Sequence, residues 1–193
     1  PTGRSKKEAD PNPIMLTLSD ASPVKIVVAA FWNDATAWER AVCHLQSLWG
    51  AVEEEYAAER FELSDYYEPE MGPHIQRQLL AFEKLVNPSH LPLLKLATNQ
   101  IEEELCAGDK NRTVNLDVGY LDLHKLVLAS TKEGPHKVFL GKGIWADFTL
   151  IFQKGGFHPF PWTFPDFRDG RYHSFLKKVR VRYLEQLREL SAG

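Results

Sequence analysis

The sequence predicts an α+β domain built on a ferredoxin-like antiparallel sheet. Three observations lead there. Val24 to Trp32, VKIVVAAFW, is a continuous β-rich apolar run after a proline, the pattern of a central strand buried on both faces. Strand-like and helix-like segments then follow in the order βαββαβ as far as Leu116, the split βαβ unit of a four-stranded sheet with two helices on one face. Beyond it, Gly141-Lys142-Gly143 and Gly155-Gly156 punctuate apolar runs as hairpin turns do, before an amphipathic end. The expected fold is that βαββαβ core extended by a C-terminal β-hairpin and helix.

Each element has its own signal. After the first strand, Asn33 or Asp34 caps a helix in which Trp38, Ala41, Val42, Leu45 and Leu48 recur at helical spacing, and Gly50 stops it. Val52 to Leu63, mixed acidic and aromatic, reads as an exposed strand, followed by the DYYEPEMGP turn region. Leu79 to Val86 is a short strand. Asn87-Pro88-Ser89 then opens a helix whose stripe is Leu93, Leu94, Ala97, Ile101 and Leu105, ended by Gly108. Thr113 to Leu116 gives a fourth strand, up to Asp117. Leu123, Leu126 and Val127 have the spacing of a short helix capped by Asp122, with a strand as the alternative. Lys137 to Leu140 and Ile144 to Gln153 pair as strands, and Gly155-Gly156 turns into Phe157–Phe160. Tyr172, Phe175, Leu176, Val179, Tyr183, Leu187 and Leu190 mark an amphipathic terminal helix.

With 193 residues, 44% hydrophobic and 25% charged, the chain fits one globular domain. Residues 1–21, polar and proline-broken, read as a disordered tail, and residues 22–193 as a single α+β domain. That tail has no apolar core of a signal peptide, and no apolar run is long enough to span a bilayer. No membrane partner is expected. Cys43 and Cys106 fit no CxxC or zinc spacing and read as buried free thiols, which suits a reducing cytoplasm. The net charge of −3 gives no whole-chain case for nucleic acid. An acidic region from Glu53 to Glu70 and a basic C-terminus from Arg171 to Arg188 read as two solvated faces.

Four constellations carry chemistry. Asp65, Tyr66, Tyr67 and Glu70 put two carboxylates and two phenols in one turn, a set suited to acid–base work or a metal, and equally to an exposed capped turn. Asp117, Asp122 and His124 have a metal-compatible spacing, though Asp122 also reads as a cap. Lys142 lies between glycines that free backbone amides for an anion, but the spacing is not that of a P-loop. Asp147 interrupts the run Ile144–Phe152 on the face of Trp145, Thr149 and Ile151, and if inward it needs a partner. Finally His158 to Arg168 is a proline-stiffened aromatic block, either a clasp over the sheet or a stacking surface. There is no GxSxG, HExxH, GxGxxG after a strand, or paired CxxC.

DYYEPEMG, NLDVGYL, LASTKEGPHKVFLGKGIWADFTLIF and PWTFPDFR together resemble the bacterial and archaeal family catalogued as domain of unknown function 4416, over about residues 23–190. The resemblance implies a compact prokaryotic domain of this length and brings no reaction, cofactor or catalytic residue. The chain departs from the family pattern at Val118, where proline is commoner, and at Asp147, where a longer acid is common.

The function expected from these residues is binding of a small anionic or nucleotide-like ligand between sheet and C-terminal hairpin. The expected lining is Asp65, Tyr66, Glu70, Asp117, Lys142, Asp147, Trp162 and Asp166. Two alternatives stand beside it: an RNA- or protein-interaction module using the basic helix and aromatic clasp, and a carboxylate- or metal-dependent phosphoester enzyme. No metal ligand set, cofactor or catalytic residue is assigned.

Overall fold

A computed structural model describes residues 19–63, 67–106 and 112–192. Its elements run β1 (Val24–Trp32), α1 (Ala35–Trp49), β2 (Val52–Arg60), α2 (Glu68–Met71), β3 (Gln76–Val86), α3 (Leu91–Glu104), β4 (Val114–Leu121), β5 (Lys125–Ser130), β6 (Lys137–Gly141), β7 (Ile144–Gln153), β8 (Gly156–Pro159), α4 (Pro165–Arg168) and α5 (His173–Ala192). All eight strands join one antiparallel sheet in the order β2-β3-β1-β4-β5-β7-β6. The last strand, β8, pairs with the end of β7 along the edge that β6 occupies further back.

The central strand β1 is buried because both faces of the sheet are covered. Ile26, Val28 and Ala30 pack with Trp38, Ala41 and Leu45 of α1 and Leu94 and Ile101 of α3. Val27 and Ala29 point the other way, onto Phe175, Leu176, Val179 and Tyr183 of α5. Strand alternation thus divides one apolar run between two cores.

The whole-sheet order differs from the expected four-stranded ferredoxin-like sheet with an appendage. The additional strands β5 to β8 continue the same sheet past β4, and the terminal helix closes its second face. The segment 122–127 is part of a hairpin, not a helix. Asp122 Oδ1 accepts from the amides of His124 and Lys125 at 2.7 and 2.8 Å, an Asx-type turn that starts β5.

Local caps follow the sequence: Asp34 accepts from Ala37 N at 2.8 Å to start α1, and Asn87 accepts from Ser89 N to open the turn before α3. Leu93 and Leu48, expected in apolar stripes, are exposed. The buried face of α3 instead runs through Leu91, Leu94, Lys95, Thr98, Ile101 and Glu102.

Both cysteines are exposed, not buried. The two charged segments are not separate solvated faces. Arg182 Nε lies 2.6 Å from Glu54, and Arg171 Nη1 lies 2.7 Å from Glu59, so α5 docks against β2 through opposite charges. The tail expected at residues 1–21 lies outside the described residues up to position 18, as does Gly108. Among the described residues no helix is long and apolar enough to cross a membrane.

Candidate functional site

The site begins where the sheet forks. Along its whole length β4 pairs with β1, from Lys25 opposite Leu121 to Trp32 opposite Val114. With β5 it pairs only from Gly119 to Leu121. Meanwhile β5 stays with β7 as far as Ser130 opposite Trp145. The first half of β4 and the end of β5 therefore diverge and leave a crevice. Gly119 sits at the apex. A Cβ there would lie 2.1 Å from the Val127 carbonyl oxygen and 2.9 Å from Leu128 Cα, so only glycine lets the strands meet before they part.

A strand that loses its neighbour has backbone groups to satisfy. At Leu116 two side chains of α3 take the neighbour's place. Its amide donates to Glu102 Oε1 at 2.7 Å, and its carbonyl accepts from Lys95 Nζ at 2.8 Å. Both side chains are buried, and they lie 3.7 Å from each other. Burial pushes the Glu102 carboxyl above its ordinary range, against the pull of Lys95 and Arg112.

From this pair a polar network crosses the crevice. Lys95 Nζ lies 3.6 Å from Asp117 Oδ1, and Asn115 Nδ2 donates to Asp117 Oδ2 at 3.0 Å. Arg112 donates to Asn115 Oδ1 at 2.6 Å and lies 3.4 Å from Glu102 and 3.7 Å from Glu70.

The second wall centres on Arg77. It sits beside Phe31, which in turn sits beside Asn115, in one cross-strand row. Its guanidinium carbon lies 4.1 Å over the Phe31 ring. Nε and Nη2 contact Asp166 Oδ2 at 3.0 and 2.9 Å, and the Tyr172 hydroxyl donates to the same oxygen at 3.0 Å. Burial works most strongly against the charge on Arg77, but Asp166, Tyr172 and Asp117 together outweigh it and hold the group charged above its ordinary range. Burial likewise pushes the Tyr172 phenol well up, with Arg77 opposing. Arg77 is 3% exposed, yet its Nη1 has no hydrogen-bond partner among the described residues. Native proteins rarely leave a buried charged donor unused.

The third wall is the end of β5 with β6 and β7. Buried Asp147 lies 3.5 Å from His136 Nε2 and 3.6 Å from Lys137 Nζ, and Lys137 also donates to Ser130 Oγ at 2.9 Å. Phe164, Pro165 and Phe167 add an apolar side. The walls enclose a cleft of about 800 Å³, a size that suits a small organic ligand.

Of the residues expected from sequence, Glu70, Asp117, Asp147 and Asp166 line this one cleft. Asp65 and Tyr66 lie outside the described residues. Lys142 and Trp162 do not line it. Lys142 takes a positive φ of 55° in the exposed β6–β7 turn. The Trp162 indole is clasped between Phe160, at 4.9 Å, and His136, at 5.3 Å, and donates to Phe148 O at 2.9 Å. With Thr163 donating to Thr149 O at 2.6 Å, the aromatic block binds free backbone of β7 between β6 and β8. It is a clasp, although the indole remains 40% exposed.

Among the cleft residues that the sequence did not single out are Arg77, Lys95, Glu102, Arg112 and Asn115. For Lys95 and Glu102 a signal existed. They fall seven residues apart in the same helical stripe as Leu91, Leu94, Thr98 and Ile101, and charges on a buried stripe demand partners. Among the described residues no group of three or more His, Cys, Asp or Glu is placed to hold a metal ion.

A family model described as a domain of unknown function, DUF4416, matches residues 22–183. Neither a curated protein nor a solved structure gives a match.

Proposed function

Because the chain belongs to the DUF4416 family, which carries no reaction with it, we propose from the cleft alone that the protein binds a small anionic, nucleotide-like ligand. The observation that carries this reading is Arg77, a cleft-lining residue whose buried Nη1 has no hydrogen-bond partner among the described residues. A phosphate or carboxylate oxygen placed there gains a charge-assisted hydrogen bond and completes the buried guanidinium. Phe61, Tyr67 and Phe164 supply apolar ring surface for a planar group.

The charge balance narrows the ligand. Six carboxylates and five cationic side chains line the cleft, so it favours one anionic group over a polyphosphate. Asp117, part exposed and accepting from Asn115, leaves acceptor capacity for a hydroxyl or amino donor on the same ligand.

The alternatives have less support. Carboxylate acid–base or phosphoester chemistry needs carboxylates acting together. Here Asp147 lies against His136 and Lys137 and Asp166 against Arg77, while Asp117 and Glu102 share Lys95, so every one of these carboxylates is held by a cation. An RNA-binding helix needs free cations, and two of the basic residues, Arg171 and Arg182, are paired with Glu59 and Glu54. As part of the same proposal, the β2-β3-β1-β4 half of the sheet with α1 and α3 is read as a ferredoxin-like unit, and the setting as cytoplasmic.

The test is thermal shift followed by calorimetry with nucleoside monophosphates, nucleoside triphosphates and inorganic phosphate. A monophosphate at a hundred times its Kd is expected to stabilise the fold by about 2.7 kcal/mol. Arg77→Lys, which keeps the charge but loses the planar fork, is expected to weaken that binding roughly tenfold or more. Binding that Arg77→Lys leaves unchanged, or no response to any anion, would end the proposal.

A further inference from the structure

The two edges of the sheet are built differently. At one edge β2 is strongly acidic in Glu53, Glu54 and Glu55, is bulged against β3 at two places, and is tied down by Arg182 of α5 through Glu54 and by Arg171, just before α5, through Glu59. Charges, bulges and covering elements are how natural sheets prevent edge pairing. At the other edge, β8 is only four residues long and ends in Pro159, and the clasp fills the gap between it and β6. The strand β6 also shifts register against β7, between Phe139 and Gly141, but it carries a single charge, Lys137 at its start. Among the described residues it pairs only with β7. Its three central residues are apolar and exposed, Val138 and Phe139 at 55% each and Leu140 at 38%.

We infer that β6 is a self-association edge, at which two copies of the chain pair their β6 strands antiparallel across a two-fold axis and join the two sheets into one. The register follows from the sequence. A two-fold axis perpendicular to the sheet keeps each face on its own side, so directly opposed residues must share a face. Centring the pair on Phe139 sets Phe139 against its own copy, Val138 against Leu140, and Lys137 against Gly141. Every opposed pair is then apolar with apolar, or a lysine with a residue that has no side chain. No like charges face each other within the strand, which favours pairing.

On the same face, Phe139 already packs on Trp145 of β7, with ring centroids 5.0 Å apart, so each copy would bring an aromatic pair to the axis. The opposite edge cannot serve the same partner. Pairing β6 with the charged, bulged and α5-covered β2 would be an open, head-to-tail contact and has no matching chemistry. A second copy of this chain is therefore the occupant that the edge itself specifies.

The experiment is sedimentation-velocity and light-scattering mass measurement of the full chain at tens of micromolar. The expected species has twice the monomer mass of 22.0 kDa. Phe139→Lys places like charges on the axis and is expected to give the monomer with an unchanged circular-dichroism spectrum. If that variant should not fold, a second one decides. Phe139→Cys in a chain carrying Cys43→Ser and Cys106→Ser is expected to oxidise to a covalent dimer. Antiparallel partners lie about 4.5–5.5 Å apart at Cα, within disulfide reach. A monomeric wild type would overturn the inference. So would a dimer that survives Phe139→Lys, because its interface would lie elsewhere. A monomer that dimerises only after residues 1–18 are removed would assign the edge to the chain's own N-terminal segment, and would overturn it too.

Discussion

At the residue scale, the least expected feature is a pair of α3 side chains standing in for a β-strand. Glu102 and Lys95 take the amide and carbonyl of Leu116 where β5 has turned away. The bond matters more than the charge, because a buried amide without a partner costs about 1–3 kcal/mol. Glu102→Ala is therefore expected to lose roughly that much in urea unfolding, and Glu102→Gln, which keeps the acceptor, much less. The pH dependence has a definite sign. Burial raises the folded carboxyl of Glu102 above its ordinary value of 4.5, so its contribution is fully present below that value. It is lost as pH rises through the raised folded value, where the native state still holds a proton that the unfolded chain has released. Glu102→Gln should flatten that part of the stability-versus-pH curve, and a curve identical to wild type would contradict it.

At the element scale, the fork between β4 and β5 makes the cleft, and Gly119 makes the fork. A side chain at Gly119 meets backbone, which cannot move aside as a flexible side chain does. Gly119→Ala is expected to destabilise the fold by about 2 kcal/mol or more, in the upper part of the overpacking range. The same substitution should also weaken ligand binding, because pushing β5 away shifts Ser130 and Lys137 relative to Asp117. A variant of native stability and native affinity would show that the apex tolerates a Cβ. The strand β5 itself was ambiguous in sequence. Leu123, Leu126 and Val127 satisfy a helical spacing, but Leu126 and Val127 pack on opposite sides of the sheet, which only a strand allows.

At the scale of the whole molecule, α5 is a structural layer. Phe175, Leu176, Val179 and Tyr183 are all nearly fully buried against Val27, Ala29 and Leu79. At about 1.5–3 kcal/mol for each large side chain, these four alone are comparable with the net stability of a typical domain. A chain ending at Arg171 is therefore expected to lose cooperative thermal unfolding and to bind a hydrophobic dye. A truncated chain with a sharp transition near the wild-type Tm would show that the second layer is dispensable. The charged segments belong to the same docking, since Arg171 and Arg182 meet the acidic strand β2. Their opposite charge was visible in the sequence, but their mutual contact was not.

The sequence by itself determined most of the longer elements of this protein, though not β5, the full length of β4, or the short helices α2 and α4. Periodicity, caps and glycine turns are local, and local preferences suffice to place a central strand at Val24–Trp32 or hairpin turns at Gly141 and Gly155. It also put forward Glu70, Asp117, Asp147 and Asp166, which share one cleft. Only the tertiary structure decided that the added strands would extend the same sheet, that α5 would cover its second face, and that the cleft would open at a fork. Only the fold, too, could bring Arg77 to Asp166, 89 positions apart in sequence, and leave one of its nitrogens without a partner among the described residues. The reason is physical: a buried charge declares itself by what surrounds it, and for Arg77 those surroundings come from β1, α4 and Tyr172 just before α5.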